Sequence, residues 1–296
     1  AMTIDRSRRR ILRSLAALPL LGSSLGFSAV SDPTPSALAQ FAELEKPLNG
    51  RLGLFAWDTG TSRQLRYRAD DAFPFCSTFK VLLVGAILQQ DAEHPGLLQQ
   101  SIRLRPTDFV TYSPITETHR DEDVTIAALC AAALQYSDNT AANILIKKLG
   151  GPEAVTAFAR SLGDQHFRLD RWETDLNSAI PGDRRDTTTP AAMGQDLHHL
   201  LLGKALPAPQ QTQLRQWLLG NTTGNKRIRA GVPSDWLVGD KTGTGSYGVT
   251  NDVAVLWPPQ RAPIILAIYT TRTNKEAQPR EDVIVSATEA VIAWLG

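Results

Sequence analysis

Hydrophobic and polar positions change period twice along this chain of 296 residues. Over residues 51–57, Leu52, Leu54 and Ala56 alternate with Gly53, Phe55 and Trp57, which predicts a buried strand. Asp58-Thr59-Gly60 supplies a turn, and residues 64–68 return as the second strand of a hairpin. Residues 40–46 precede the hairpin as the first turns of a helix. From about residue 76 to 219 the spacing becomes helical. Runs over 79–90, 124–136, 140–149, 152–162, 191–202 and 209–219 predict helices, one of them opened by Pro152 and closed by Gly163. Residues 165–190 are rich in Asp, Arg, Thr and Pro and predict one long loop, a length that is usually functional. Strands return over 236–240, 251–257 and 264–271, and a last helix follows over 282–295.

These elements predict an α/β (α+β) fold: a five-stranded antiparallel sheet flanked by helices, with an inserted all-helical domain. Residues 40–75 and 220–296 supply the α/β domain. Residues 76–219, including the 171–186 loop, supply the helical one, and a site is expected between them. A hydrophobic content of 42% gives ample core for this size.

Charge narrows the partners. The whole chain carries a net charge of +1, but residues 1–39 hold five arginines against two acids, so the remainder is slightly acidic. Neutralising many phosphates needs a clustered positive excess, so no nucleic-acid partner is expected. The N-terminus predicts export. Ser7-Arg8-Arg9-Arg10-Ile11-Leu12-Arg13 fits a twin-arginine signal, and the apolar stretch 15–25 is too short to anchor the chain in a bilayer. An ordinary secretory signal is the alternative reading. Cleavage is expected after Ala39, with a site near Ala29 as the alternative. No spacing of His or Cys suggests a metal site.

Three short motifs carry the chemistry. Ser77-Thr78-Phe79-Lys80 places a serine and a lysine three apart, on one face of a helix start. A serine hydroxyl needs a base to be nucleophilic. Lys80 serves as that base only with a lowered pKa, and is otherwise an electrostatic partner. A helix N-terminus also offers backbone N–H groups to an oxyanion. Alone, the motif is more often an exposed helical pair.

Ser137-Asp138-Asn139 falls between two helical runs. Alone it is an ordinary helix cap, with Asp138 bonding to backbone groups. In company, Ser137 can relay a proton and Asn139 can hold a substrate amide. Lys241-Thr242-Gly243 is expected after a strand, on a sheet edge. Lys241 would supply positive charge, Thr242 and Thr244 would supply hydroxyls for a carboxylate, and Gly243 would allow close approach to the backbone. The run Gly243–Gly248 also matches G-x-G-x-x-G, but a strand follows it, so no helix N-terminus is there to hold a pyrophosphate. In the long loop, Glu173 and Asn177 lie four apart and could hold a water beside an ester. Arg171 and Asp186 flank them and could close the loop's neck.

Together, Phe-Cys-Ser-Thr-Phe-Lys, Tyr-Ser-Asp-Asn-Thr-Ala-Ala-Asn, Arg-Trp-Glu-Thr-Asp-Leu-Asn and Gly-Asp-Lys-Thr-Gly-Thr-Gly resemble the class A serine β-lactamases over residues 40–296. Tyr112 to Glu117 and Arg184 to Pro190 resemble the chromosomal broad-spectrum and extended-spectrum members. The resemblance implies hydrolysis of penicillins and cephalosporins, with β-lactams and β-lactamase inhibitors as ligands. It implies that Ser77 is acylated, that Lys80 and Glu173 share the base roles, and that Ser137 protonates the leaving nitrogen. Glu173 with Asn177 would hold the deacylating water, and the backbone N–H groups of Ser77 and Thr244 would form an oxyanion hole. Asn139, Lys241, Thr242, Gly243 and Thr244 would bind substrate, with Tyr112 as one wall.

Thr250 stands where many members have an arginine, so Arg227 is assigned to the substrate carboxylate. The positions that pair with Cys76 and Cys130 in some members are Gly245 and Val84 here, which implies two free thiols. Cys76, Thr244 and Gly245 resemble members that act on oxyimino-cephalosporins. A periplasmic monomer with no cofactor, no metal and no membrane anchor is implied, water being the co-reactant. A penicillin-binding peptidase and a β-lactam sensor are the competing readings. The pair Glu173 and Asn177 argues against the first, and both would stay acylated longer.

Overall fold

The alternation over 51–57 becomes the second strand of a five-stranded sheet. The structure, a computed structural model, describes residues 29–296. In chain order the elements are helix α1 (Thr34–Glu45), strands β1 (Gly50–Asp58), β2 (Gln64–Tyr67) and β3 (Phe73–Pro74), then helix α2 (Lys80–Glu93). Strands β4 (Ser101–Arg103) and β5 (Asp123–Thr125) follow, with helices α3 (Ile126–Gln135), α4 (Asn139–Leu149) and α5 (Pro152–Ser161). Next come β6 (Thr187–Thr188), α6 (Pro190–Leu201), α7 (Ala208–Leu219) and the short α8 (Ile228–Gly231). Strands β7 (Leu237–Thr244), β8 (Thr250–Trp257) and β9 (Ile264–Arg272) and helix α9 (Glu281–Leu295) complete the chain.

The sheet has the order β2-β1-β9-β8-β7, and its pairings are antiparallel. Strand β7 is therefore an edge. Alternation sorts the side chains of the sheet onto two buried faces. Leu52, Leu54, Ala56, Leu266 and Ile268 pack on α1 and α9, with Phe41, Ile284 and Trp294. Phe55, Val253, Val255, Ile265, Ala267 and Tyr269 pack on the helical side, with Val81, Leu82 and Met193. Helix α2 is buried from Lys80 to Leu88, as expected of a helix that is apolar all round.

Two boundaries differ from the sequence reading. Helix α1 starts at Thr34, and Pro33–Gly296 forms one compact unit, so the boundary placed at residue 40 cuts into a folded helix. Pro33 and Pro35 stand where a helix start tolerates proline, because the first-turn N–H groups have no partner within the helix anyway. Trp294 Nε1 also donates to Thr34 Oγ1 at 3.0 Å. Cleavage near Ala29 leaves this helix whole. The rest of the expected export signal lies outside the described residues. Strand β7, in turn, runs through the Lys-Thr-Gly motif rather than stopping before it. Three further features escaped the reading: β3 pairs with β6, β4 pairs with β5, and Asp175–Asn177 forms a 3-10 turn inside the long loop.

Candidate active site

Ser77 sits in the 3-10 turn Cys76–Phe79 that leads into α2. The turn is fastened from below. Asn251 on β8 donates from Nδ2 to Pro74 O at 2.9 Å and to Phe75 O at 3.2 Å. Thr78 Oγ1 lies 3.0 Å from the Tyr269 hydroxyl. Strand β7 presses on the same turn. A Cβ at Gly243 would lie 2.7 Å from Phe75 O and 3.2 Å from Ser77 N, so this glycine is what lets the edge strand reach the serine.

Lys80 is fully buried and its ammonium joins the motifs. Its Nζ donates to Ser77 Oγ at 3.0 Å, Ser137 Oγ at 3.1 Å, Ser137 O at 2.9 Å and Asn139 Oδ1 at 2.8 Å. Glu173 Oε1 lies 3.6 Å from the same nitrogen, and neither side chain is exposed. Burial holds the Lys80 pKa below the ordinary lysine value, against the opposing pull of Glu173 and Asp138. Lys241, equally buried, donates to Ser137 Oγ at 3.1 Å and to Thr242 O at 2.8 Å. Burial and then the Lys80 charge push it well below the usual range. Ser137 Oγ thus stands between two ammonium groups that are both disposed to lose a proton.

Asp138 caps α4. It accepts from Ala141 N at 2.9 Å, from Ile115 N and Thr116 N at 2.9 Å each, and from Thr116 Oγ1 at 2.8 Å. It is structural, as the sequence reading held. Asn139 Nδ2 donates to Thr111 O at 3.0 Å. Cys76, Tyr112 and Ser137 all have positive φ, so three non-glycine residues around the cleft sit in the left-handed region. Cys76 Sγ points away from Ser77, into a small cluster with Ala179 and Val249, and both cysteines are buried and unpaired.

The loop side is built from polar contacts. Asn143 reads the main chain of Glu173 in both directions, donating to its O at 3.0 Å and accepting from its N at 2.9 Å. Asn177 Nδ2 donates to Glu173 Oε2 at 2.7 Å. Glu173 Oε1 and Asn177 Oδ1 are buried and receive no hydrogen bond from the protein. At the neck, fully buried Asp186 accepts from Arg171 Nε at 2.7 Å, Asp170 N at 2.7 Å and Arg171 N at 3.0 Å.

Ser77, Tyr112, Ser137, Asn139, Asn177, Thr223, Arg227, Thr242, Gly243 and Thr244 line one cleft of about 430 Å³. A larger hollow of about 700 Å³ lies beyond Ala179 and Arg184, but it contains no residue of the three motifs, so size alone does not mark the site. The Arg227 guanidinium is largely spoken for. It donates to Gly243 O and Asn251 O at 2.9 Å each, to Glu281 Oε2 at 2.9 Å and to Thr244 Oγ1 at 2.7 Å. It braces β7 against β8 and meets the cleft beside Thr244. Among the described residues no group of three His, Cys, Asp or Glu could hold a metal ion. None of the helices described is long and apolar enough to cross a membrane.

The arrangement is that of a serine hydroxyl hydrogen-bonded to a buried lysine, with a second buried lysine across Ser137. Residues 37–295 match the model of the β-lactamase enzyme family. The chain is 52% identical to β-lactamase Toho-1 of Escherichia coli, over 98% of this chain and 99% of that protein. The chain belongs to the class A β-lactamases. It is also 51% identical to the carbapenem-hydrolyzing β-lactamase KPC of Klebsiella oxytoca, over 98% and 97% of the two chains. The crystal structure of a β-lactamase from Desulfarculus baarsii superposes with a TM-score of 0.88 at 58% identity, over 89% of this chain and 98% of that one. As a β-lactamase it hydrolyses β-lactams, and the five-stranded fold expected from the sequence is that of the family.

Asn143 is the clearest site residue that the motifs underplayed. It lies four after Asn139, so both fall on one face of α4: Asn139 meets Lys80 and Asn143 meets Glu173. That spacing was visible in the sequence. Asn251 and Thr223 gave no such signal, because their partners lie far away along the chain.

Proposed function

We propose that this β-lactamase opens the β-lactam amide of penicillins and cephalosporins through an ester on Ser77, and that Glu173 and Asn177 direct the water that hydrolyses it. In acylation Ser77 Oγ bonds to the lactam carbonyl carbon, the C–N bond breaks, and the hydroxyl proton ends on the leaving nitrogen through Ser137. Lys80 is in direct reach of that proton, and burial favours the neutral form that accepts it. Glu173 lies one contact further on and is the alternative base. The backbone N–H groups of Ser77 and Thr244 receive the developing oxyanion. Asn139 and Gly243 border the substrate amide. Lys241, Thr242 and Thr244 face its carboxylate, with Arg227 behind Thr244 and Tyr112 forming the outer wall.

In deacylation a water oxygen bonds to the ester carbon and the C–Oγ bond breaks. The water's proton passes through Glu173 and returns to Ser77. One observation carries this half. Two buried acceptors, Glu173 Oε1 and Asn177 Oδ1, receive no hydrogen bond from the protein, and Glu173 Oε1 faces the Lys80 nitrogen at 3.6 Å. Buried acceptors are normally satisfied, and a water donating to both would satisfy them. The test is Glu173→Ala mixed with a penicillin and followed by intact-protein mass spectrometry. A long-lived adduct on Ser77 is expected; ordinary turnover would refute the role. Oxyimino-cephalosporins are an expected further substrate class, and steady-state kinetics with no measurable turnover would remove them. The arginine-rich, apolar N-terminus supports export to the periplasm, checked by fractionating cells that express the full chain.

A further inference from the structure

Thr223 belongs to none of the three motifs, yet it lines the cleft beside Thr242. Its Oγ1 lies 2.6 Å from Thr242 Oγ1, a short contact between two hydroxyls. The same oxygen donates to Asn221 Oδ1 at 3.0 Å. The orientation of Asn221 is settled one step deeper, because its Nδ2 donates to Asp240 Oδ1 at 2.9 Å. Asp240 Oδ1 also accepts from Arg229 Nε at 2.8 Å, so this oxygen is an acceptor that takes the amide's N–H side and leaves Asn221 Oδ1 facing Thr223.

Proton counting then gives the direction. A hydroxyl has one proton. If Thr223 gives its proton to Asn221, Thr242 must give its own to Thr223, and Thr242 is left with acceptor capacity only. That is the wrong polarity for an anion. The arrangement can reverse without leaving an orphan, since Asn221 Oδ1 also accepts from Thr223 N at 3.2 Å. Once the Thr223 proton turns onto Thr242 Oγ1, the Thr242 hydroxyl points its proton into the cleft.

We propose that Thr223 is a substrate-positioning residue, a hydroxyl that holds the Thr242 side chain and turns its proton from Asn221 to Thr242 when a ligand carboxylate binds. This rests on the reading of Thr242 as a carboxylate contact. Thr223 donates to Thr242, Thr242 donates to the anion, and the two bonds polarise each other. Asn221, anchored by Asp240, keeps the resting position of the rotor. No covalent bond changes.

The experiment compares a cephalosporin with its carboxylate methyl ester in wild type, Thr223→Val, Thr223→Ser and Thr242→Val. Thr223→Val should raise KM for the acid about three- to tenfold, the scale of one modest hydrogen bond, with kcat within about twofold. The preference for acid over ester should fall by the same factor, and Thr223→Ser should restore both. A merely structural Thr223 would lower kcat for acid and ester alike. Should Thr223→Val fold poorly by circular dichroism, Thr223→Ala carries the same readouts. An unchanged or lowered KM with Thr223→Val, while Thr242→Val loses the acid preference, overturns the proposal alone. Retention of the preference in Thr242→Val overturns the carboxylate reading and the proposal with it.

Discussion

The two sides of the cleft are held in different ways. On the side of Ser77, Lys80, Ser137 and Lys241, the functional groups grow out of the interior. Lys80 starts a buried helix, Lys241 lies on a sheet strand, and four of the nearby oxygens share the Lys80 ammonium. On the side of Glu173 and Asn177, the groups ride on a loop. A few polar contacts hold that loop: Asn143 to the Glu173 main chain, Arg171 to Asp186, and Ser246 N to Asn177 O at 3.1 Å. The difference teaches that the two chemical halves are separable. Damage to the loop should stall the enzyme after the ester forms, whereas damage to the interior side should prevent the ester.

The largest effect is expected on the interior side. Ser77→Ala should lower kcat/KM by about 10⁴-fold or more, since a nucleophile acting as part of a unit takes most of the unit's rate with it. No adduct should form with a penicillin. An adduct elsewhere on the chain would break the comparison at its root. Asn177→Ala attacks the loop side more gently. It removes one donor at 2.7 Å from Glu173 Oε2 and one of the two acceptors that receive no hydrogen bond from the protein. Deacylation measured by pre-steady-state kinetics should slow about 10- to 100-fold, with acylation changed less than about threefold. Equal slowing of both steps would show that the loop is not separable.

How much of this was legible in the sequence depends on how far apart the partners lie. Ser77 with Lys80, and Glu173 with Asn177, were readable because three- and four-residue spacings already fix a shared face. The sheet was readable because alternation survives even where both faces are covered. The end of β7 was misread because Thr242, Gly243 and Thr244 look like a turn, yet Gly243 is there for the strand to lie on the Ser77 turn. The start of α1 was set too late because Ala37-Leu38-Ala39 looks like a signal-cleavage site, whereas those residues lie inside the helix. The polar chain from Thr242 through Thr223 and Asn221 to Asp240 was invisible, since nothing local in those four residues announces that they meet.

Asp186→Ala tests the neck of the loop. It strips the acceptor from two backbone N–H groups and from the Arg171 guanidinium, which is itself only about a fifth exposed. Breaking a pair this buried costs about 3 kcal/mol. Because residues 171–186 reach the main core through Leu176 and are otherwise held by polar contacts, the loss should surface as local opening, roughly 100-fold more frequent by amide exchange over residues 171–186. Deacylation should fall while acylation persists. A uniform rise in exchange across α2 and the sheet would show instead that the neck supports the whole fold.

The smallest effect concerns the thiols and sharpens the comparison most finely. Cys76 and Cys130 are both fully buried, and burial pushes both thiols above the ordinary cysteine value. Reactive thiolate is therefore scarce at pH 8 in the native protein, and a thiol reagent should label neither residue on the time scale of turnover. Denatured without reductant, the chain should yield two free groups. The two cysteines differ in what covers them. Cys76 packs against Ala179 of the loop and Val249, whereas Cys130 lies on α3 in the main core. Opening the loop with Asp186→Ala should therefore expose Cys76 and leave Cys130 protected. Where opening is frequent, labelling should speed up with pH, by about tenfold per unit while pH stays below the thiol's pKa, because only the thiolate reacts. Labelling of both cysteines at one common rate would mean global unfolding, and the two sides of the cleft would not be separable after all.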